Sequence, residues 1–136
     1  MSDTSQMPAV SGEYGEKPAL TFPDAPAPAG LQIKVLHEGD GEPVQGGQHI
    51  VCHYLGQVWG GNVFDNSFDR GEPLTFMLGA HQVIPGWDRG LEGVPVGSRI
   101  LLSIPSELAY GDRGIPQAGI KGGDTLVFVT DVVGAL

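Results

Sequence analysis

The residues of this chain that could form a chemical site are mostly aromatic, and one short motif places a large ring beside an unusual turn. Val83-Ile84-Pro85-Gly86-Trp87 joins two apolar residues to a residue without an amide N–H and a residue without a side chain. The proline and the glycine make the chain turn before Trp87. An isolated tryptophan in such a place is most often a buried core anchor. The motif by itself therefore leaves a core role and a pocket role open.

Other aromatic residues accompany this motif. Tyr54 lies in an alternating stretch, Phe64-Asp65 follows a Gly-Gly turn, Tyr110 stands in an Ala-Tyr-Gly triplet, and Phe128 lies in the last apolar run. An aromatic set with one carboxylate indicates a pocket. The elements that carry these residues must therefore bring them together from distant parts of the chain.

Covalent and metal chemistry find little support in the sequence. His49 and His53 would lie about 13 Å apart on one face of a strand, at roughly 3.3 Å per residue, which is too far for them to share an ion. No complete dinucleotide or Walker motif is present, and Ser98 leads into a strand instead of out of one. Asp65 and Asp69 could form a hydrolase pair, but solvated or salt-bridged carboxylates explain them better. We expect no metal and no cofactor.

The amino-acid composition limits the possible fold classes and binding partners. The chain has 136 residues with 22 Gly and 11 Pro, which favours short strands and turns over long helices. Only seven Lys and Arg stand against 16 Asp and Glu, for a formal net charge of −9. Nucleic-acid binding needs clustered basic residues, so we expect no nucleic-acid partner.

The compartment can also be predicted from the sequence. Cys52 is the single cysteine, so no intramolecular disulfide can form. The first residues lack a basic start followed by an apolar signal-peptide run, and no stretch approaches 18 consecutive apolar residues. We expect a cytoplasmic protein, not bound to membranes, that is a monomer.

The chain divides into a tail and a domain. Residues 1–30 are rich in Ser, Gly, Glu and Pro and end in repeated prolines, so we predict a flexible tail that packs on nothing. Residues 31–136 form the predicted domain. A minor alternative is that Phe22-Pro23, a dipeptide that could suit an apolar pocket, occupies the pocket of its own chain or that of a neighbouring copy.

Alternation with a period of two dominates the domain. Strands are predicted within 31–36, 49–59, 74–78, 98–104 and 125–133, with Phe64-Asp65 on a return strand after the turn at residues 60–62. The stretch 49–59 is apolar on both faces, so we expect it to be central. One short helix begins near Pro85 and places Trp87 and Leu91 on one face. This order of elements predicts an antiparallel α+β domain, with residues 112–124 as a long functional loop.

Six ordered motifs within residues 31–136 carry a specific family resemblance. The chain resembles the FKBP-type peptidyl-prolyl cis-trans isomerases, in a small, single-domain, bacterial-like form. The motifs are His53-Tyr54, Phe64-Asp65 followed by Phe68-Asp69-Arg70, Phe76-Met77-Leu78-Gly79, Val83-Ile84-Pro85-Gly86-Trp87, Ala109-Tyr110-Gly111 and Thr125-Leu126-Val127-Phe128. The resemblance implies a strongly curved antiparallel sheet wrapped around one short α-helix.

The resemblance also implies roles for twelve residues. It makes Trp87 the floor beneath a substrate proline ring, and the Ile84 N–H and the Tyr110 hydroxyl donors to substrate carbonyls. Asp65 resembles the carboxylate at the ligand edge, with Arg70 as its ionic neighbour. The remaining implied wall and rim residues are Tyr54, Phe64, Leu74, Val83, Ile115, Ile120 and Phe128. Tyr54 and Phe128 could also be plain core residues, and Arg70 a surface charge.

The implied function is the acceleration of X–Pro bond rotation in flexible or unfolded polypeptides, an activity that assists protein folding. Proline-containing polypeptides are the implied partners, and macrolides the implied inhibitors. Three departures from the family concern ligand preference. Leu74 stands where the family often has an aromatic wall. The loop 114–120 is one residue longer than in the short family form and carries Ile115 in place of a frequent histidine, and Ala118 and Gly119 supply less wall beside Ile120. The alternative is an FKBP-like module that binds proline peptides with little turnover.

Overall fold

The computed structural model describes residues 7–136, and its main feature is a six-stranded antiparallel sheet packed against a seven-residue helix. Within these residues no helix is long and apolar enough to span a membrane. Two 3₁₀ turns, Ser106–Leu108 and Pro116–Ala118, complete the regular structure. The helices are α1 (Ser67–Arg70) and α2 (Pro85–Leu91), and the strands are β1 (Ala9–Ser11), β2 (Ala19–Thr21), β3 (Gln32–His37), β4 (His49–Val58), β5 (Val63–Asn66), β6 (Leu74–Met77), β7 (Arg99–Ile104) and β8 (Leu126–Ala135).

The strands of the main sheet lie in the order β3-β7-β8-β4-β5, and β6 also pairs with β4. Strand β4 is central, as its two apolar faces predict, because it pairs with β8 along one edge and with β5 and β6 along the other. Register shifts near Cys52 and Gly56 interrupt the β4 ladder. Shifts of this kind bend a strand and increase its twist. The sheet thereby curves around α2, and the predicted α+β fold is confirmed.

Helix α2 approaches β7 closely through two glycines. A Cβ atom at Gly86 would lie 2.4 Å from the Ile104 side chain, and one at Gly90 would lie 2.7 Å from the Leu102 side chain. These glycines lower the intrinsic helix propensity, but they let the helix backbone rest on the sheet. Trp87 and Leu91 share the buried face of α2, four residues apart as predicted. The main core therefore lies between α2 and one face of the sheet.

The opposite face of the sheet is covered by a hairpin that the sequence did not predict. Strands β1 and β2 pair with each other, with Val10 opposite Leu20, and both side chains pack against a second apolar cluster. That cluster consists of buried side chains from residue 7 and from strands β7 and β8: Met7, Leu101, Val127 and Val129.

The prediction of a tail that packs on nothing is therefore wrong for residues 7–22. Strands β7 and β8 are buried on both faces, and the apolar side chains Leu101, Val127 and Val129 of the second face would face water without a cover. Residues 1–6 of the predicted tail lie outside the described residues. The Gly and Pro content of this segment concealed two strands of only three residues each.

The segment after β2 also differs from its prediction. The Phe22 ring packs edge-on against Trp59 with the ring centroids 5.2 Å apart, and the Trp59 indole N–H donates to the Ala25 carbonyl. Phe22 belongs to the second apolar cluster on the hairpin side, so in this structure it does not fill the pocket formed around Trp87.

The four-residue helix α1 was likewise not predicted. Asn66 caps its N-terminus by accepting from the amide N–H groups of Phe68 and Asp69, and Gly71 ends it in the left-handed conformation. Asparagine and glycine are typical of these two positions. No periodic pattern can reveal a helix of one turn, so only its cap residues signal it in the sequence.

Candidate functional site

A cavity of about 220 Å³ opens beside Trp87, at the place where four strands and α2 meet. Strands β4, β5, β6 and β8 contribute side chains, and so do α2 and the segments before α2 and after β7. Nine of the twelve residues singled out from the sequence line this cavity: Tyr54, Phe64, Asp65, Leu74, Val83, Ile84, Trp87, Tyr110 and Phe128.

Aromatic rings around Trp87 meet mostly edge to face. The Tyr54 centroid lies 5.1 Å from Trp87 with the ring planes at 89°, and the Phe128 centroid lies 5.3 Å away at 81°. Phe64 meets Phe128 in the same manner at 5.6 Å. This geometry places the positive edge of one ring against the negative face of the next. The rings therefore hold one another in place and form a stiff apolar wall.

Trp87 combines the two roles that its motif left open. Its side chain is 3 % exposed and belongs to the main core, yet it also lines the cavity. Phe76 packs against Trp87 with the centroids 5.6 Å apart, outside the cavity lining. The sequence places Phe76 in a motif without indicating a role, and in the structure its ring supports Trp87.

One carboxylate stands at the edge of the cavity in a closed hydrogen-bond network. The Tyr54 hydroxyl donates to Asp65 Oδ2 at 2.5 Å, and Arg70 Nη1 donates to Asp65 Oδ1 at 2.5 Å. Arg70 Nη2 also donates to the Tyr54 hydroxyl at 3.1 Å. Each of the three side chains thus bonds to the other two.

The network sets the charge state of Asp65. Burial acts to raise the pKa of the Asp65 carboxyl, but hydrogen bonds from Tyr54, Arg70 and the Asn66 amide outweigh burial and lower the pKa from its ordinary value. Burial and the hydrogen bond to Asp65 raise the pKa of the Tyr54 hydroxyl. At neutral pH the site therefore holds an ionised carboxylate and a neutral phenol.

Two residues that line the cavity carry hydrogen-bond donors without an acceptor in the described part of the chain. Ile84 lies at the N-cap of α2, where its carbonyl accepts from the Trp87 amide, while its own N–H donates to no acceptor among residues 7–136. The Tyr110 hydroxyl makes no hydrogen bond within the same part of the chain, and the residue is 37 % exposed. Both donors are free to bind carbonyl groups of a ligand.

Three predicted site residues do not line the cavity. Arg70 donates to Asp65 and Tyr54 from outside the cavity, and its guanidinium lies over the Tyr54 ring. Ile115 and Ile120 exchange two backbone hydrogen bonds with each other, at 2.9 Å and 3.1 Å, which closes the loop between them. Ile120 is 2 % exposed and belongs to the main core, so the structure places it in the core and not at the pocket rim.

Gln82 lines the cavity and was missed by the sequence reasoning. Its side-chain carbonyl accepts from the Met77 amide at 2.8 Å, which ties the turn before α2 to the end of β6.

The remaining groups that could do chemistry lie elsewhere. Burial raises the pKa of the Cys52 thiol to about 12, and Cys52 lies in the main core. Within residues 7–136 no three His, Cys, Asp or Glu side chains are grouped closely enough to hold a metal ion. The cavity itself offers apolar rings, two free donors and one ionised carboxylate.

Comparison with known proteins shows which family uses this arrangement. The family model described as FKBP-type peptidyl-prolyl cis-trans isomerase matches residues 40–133. The chain belongs to this family. The resemblance based on the six motifs is thereby confirmed, and so is the enzymatic function, because relatives along the whole domain are named as isomerases. The protein is an FKBP-type isomerase of X–Pro bonds.

Relatives match most of the chain. It is 51% identical over 119 residues to the FK506-binding protein of Streptomyces anulatus, covering 87% of this chain and 96% of the relative. It is 40% identical over 131 residues to the FKBP-type isomerase FkpA of Escherichia coli, covering 96% of this chain but 47% of FkpA. The crystal structure of AtFKBP13 superposes with a TM-score of 0.73 at 38% identity, covering 81% of this chain and 96% of that one.

Proposed function

We propose that the aromatic cavity beside Trp87 is the place where this isomerase rotates X–Pro bonds of flexible or unfolded polypeptides. The observation that carries this proposal is an open cavity of about 220 Å³ whose walls are rings that meet edge to face. A rigid apolar wall suits a proline ring, which is itself apolar and has few conformations.

The reaction requires no bond to be made or broken. Rotation about an X–Pro bond faces a barrier of about 18–20 kcal/mol because the twisted amide loses its resonance. As the amide twists, charge returns to the nitrogen and the carbonyl becomes less dipolar. A dry apolar site therefore favours the twisted amide over the planar one. Each tenfold acceleration requires about 1.4 kcal/mol of such preferential binding.

The free donors would hold one side of the substrate while the other side rotates. Trp87 contacts the proline ring, and the Ile84 N–H and the Tyr110 hydroxyl bind flanking carbonyl groups. Fixing these groups in a preformed site reduces the entropy lost on reaching the twisted state. The carbonyl of the residue before proline stays free to turn within the aromatic wall.

Asp65 would organise the edge of the cavity next to the rotating amide. Its carboxylate accepts from Tyr54, and this bond holds the Tyr54 ring edge-on against Trp87. Loss of the carboxylate charge would release both the hydroxyl of Tyr54 and the guanidinium of Arg70. We therefore assign Asp65 an orienting role in catalysis.

A protease-coupled isomerisation assay on Leu-Pro and Phe-Pro peptides tests the proposed site. We expect Asp65→Asn and Phe128→Leu to lower kcat/KM about tenfold or more, while Lys34→Gln, an exposed change on β3 at the far edge of the sheet, leaves it unchanged. Circular dichroism checks that each variant is folded. Full activity in folded Asp65→Asn and Phe128→Leu proteins would show that the bond rotates elsewhere.

A low-activity binding module is the second candidate, and the nature of one wall residue favours it. Leu74 lines the cavity with an aliphatic side chain and so offers less rigid area than a ring would. A binding module would show chemical-shift changes at Trp87 on addition of a proline peptide without accelerating its isomerisation. The same peptide in the assay above separates the two functions.

We also propose that the cavity binds FK506-type macrolides. The Streptomyces relative that is 51% identical is named for FK506 binding. Trp87 fluorescence should report such binding, and because the chain has two tryptophans, a Trp59→Phe variant isolates the Trp87 signal. A macrolide that neither changes this signal nor inhibits the isomerase would contradict the proposal.

A cytoplasmic location and a monomeric state also remain proposals. A single buried cysteine with a raised pKa fits a compartment in which thiols stay reduced. A net charge of −9 makes copies of the chain repel one another. Cell fractionation tests the location, and sedimentation equilibrium tests the monomer.

A further inference from the structure

The loop between β1 and β2 forms hydrogen bonds with a buried ion pair of the sheet. Arg99 of β7 is 2 % exposed and forms a bidentate ion pair with Asp131 of β8, through Nε at 2.6 Å and Nη2 at 2.9 Å. Arg99 Nη1 donates to the Gly12 carbonyl at 2.9 Å, and Nη2 donates to the Glu16 carbonyl. The Gly15 amide donates to Asp131 Oδ2 at 2.8 Å. The loop thus surrounds a buried ion pair.

Two contacts extend from this arrangement to α1. The Arg99 guanidinium carbon lies 5.9 Å from the centroid of the Phe68 ring, within the range of a cation–π interaction. Lys17, in the same loop, forms an ion pair with Asp69 at 3.0 Å. Phe68 is also stacked on His53 of β4, with the centroids 5.3 Å apart and the rings inclined by 27°.

Helix α1 joins these contacts to the cavity edge. It spans only Ser67–Arg70, and Asp65 lies two residues before it. A single helical turn is not stable by itself, so side-chain contacts must hold it in place. Its last residue, Arg70, donates to both Asp65 and Tyr54. The orientation of α1 therefore decides where the Arg70 guanidinium meets the carboxylate.

We propose that the β1–β2 loop, together with the Arg99 side chain that it surrounds, is a positioning element of the isomerase site. Lys17 of the loop holds Asp69 and Arg99 holds Phe68, and these two contacts on α1 hold Arg70 against Asp65. The proposal rests on the site described under the proposed function. Phe68, Lys17 and Arg99 do not line the cavity, so none of them is a catalytic residue. They act on the reaction only through α1.

The test changes the contacts to α1 in the full-length chain. The double variant Lys17→Gln/Phe68→Leu removes the ion pair and the ring contact, and we expect kcat/KM to fall about fivefold. Phe68→Tyr keeps the ring and should retain nearly all activity. Lys34→Gln, which also removes an exposed lysine but lies on β3, is the matched control.

A second readout separates positioning from general loss of stability. In a ¹³C NMR titration, the pKa of the Asp65 carboxyl should rise in the double variant, because Arg70 no longer bonds to it firmly, and should stay unchanged in Lys34→Gln and Phe68→Tyr. A folded double variant with wild-type kcat/KM and a wild-type Asp65 pKa would overturn the proposal. If the double variant does not fold, kcat/KM and the Asp65 pKa are measured in Lys17→Gln and in Phe68→Leu separately. Wild-type values in both folded single variants would then overturn the proposal.

The outcome for Asp65→Asn distinguishes this inference from the proposed function. If Asp65→Asn lowers activity while the double variant changes neither the activity nor the pKa, only the positioning role fails. If Asp65→Asn is fully active while the double variant still raises the Asp65 pKa, the loop does position the carboxylate and the proposed function fails.

Discussion

Tyr54 shows how one residue links the core to the chemistry of the site. Its ring packs edge-on against Trp87 in the main core, while its hydroxyl donates to Asp65 at the cavity edge. Burial alone would explain the ring but would leave the hydroxyl without a partner, at a cost of about 1–3 kcal/mol. The Asp65 carboxylate supplies that partner. The same hydrogen bond therefore pairs the Tyr54 hydroxyl and holds Tyr54 in place within the site.

Tyr54→Phe tests this link. The variant removes one of the donors that lower the pKa of the Asp65 carboxyl, so we expect that pKa to rise towards its ordinary value. Because the folded pKa of Asp65 lies below the unfolded one, its stabilising contribution is complete above the unfolded pKa and is lost as the pH falls through the folded pKa. In Tyr54→Phe the folded pKa lies closer to the unfolded one, so the total loss of stability should be smaller and should be complete at a higher pH than in the wild type.

Urea midpoints measured across the acid range, together with a ¹³C titration of Asp65, check this prediction. Tyr110→Phe is the control, since its hydroxyl makes no bond to Asp65. An unchanged Asp65 titration in Tyr54→Phe would mean that Arg70 and the Asn66 amide alone lower the pKa.

The backbone at Gly56 leaves no room for a side chain beside the rings of the cavity. A Cβ atom there would lie 2.7 Å from Phe128 Cε2 and 2.8 Å from Phe64 Cζ. Both rings would have to move, and small displacements of an active-site wall can reduce rates strongly. We predict that Gly56→Ala lowers kcat/KM by about tenfold and destabilises the fold by about 1–3 kcal/mol.

The assay and urea denaturation measure both effects of Gly56→Ala. Gly134→Ala is a matched control on β8, because a Cβ atom at Gly134 would meet nothing within 4 Å. Equal activity in the two variants would show that the aromatic wall can adjust without loss of function.

At the scale of elements, the hairpin and α1 show that short segments depend on their surroundings. Strands β1 and β2 have three residues each, and α1 has four. Isolated hairpins and single helical turns are at best marginally stable in water. The apolar face of β7 and β8 stabilises the hairpin, and the buried pair Arg99–Asp131 anchors its loop.

Two Asp→Asn substitutions in the same region should lower the free energy of unfolding by very different amounts. Asp131→Asn leaves the buried Arg99 guanidinium without its counter-charge, so we predict a loss of about 3–5 kcal/mol in the free energy of unfolding. Asp69→Asn breaks the exposed pair with Lys17, where solvent screens the charges, and should cost less than about 1 kcal/mol. Urea denaturation of both variants measures the difference. Comparable losses would mean that the Arg99 side chain can reach water when its partner is removed.

The molecule as a whole carries a strong net negative charge. The formal net charge of −9 creates a field that attracts basic polypeptides and repels acidic ones. Such a field acts on the association of substrates and leaves the rotation step itself unchanged. The charge is therefore a property of substrate selection and solubility, not of the fold.

Varying the ionic strength tests whether the net charge influences which peptides associate with the protein. For X–Pro peptides flanked by lysines, we predict that kcat/KM falls severalfold between low salt and about 0.5 M salt, because the Debye length shortens from about 30 Å to a few Å. Peptides with neutral flanks serve as the control and should change little. A salt effect of equal size on both peptides would point to a change in the enzyme and not to steering.

The sequence was most informative where pattern and motif agreed over many residues. The ten-residue strands β4 and β8 and the helix α2 were predicted because alternation, the turn residues and the spacing of Trp87 and Leu91 all favour them. The aromatic residues of the cavity were found because they belong to ordered motifs. Gln82 and Phe76 were missed as site residues because a polar turn residue and an ordinary core ring have no distinguishing local signal.

By itself, the sequence determined the family, the antiparallel α+β fold and most of the residues around Trp87, because these depend on side-chain type and spacing along the chain. Only the tertiary structure decided that residues 7–22 cover the second face of the sheet, that Ile120 lies in the core, and that Arg99 joins the hairpin loop to α1. Such contacts join positions far apart in the chain. Their free energy comes from burial and charge pairing across elements, which no local pattern records.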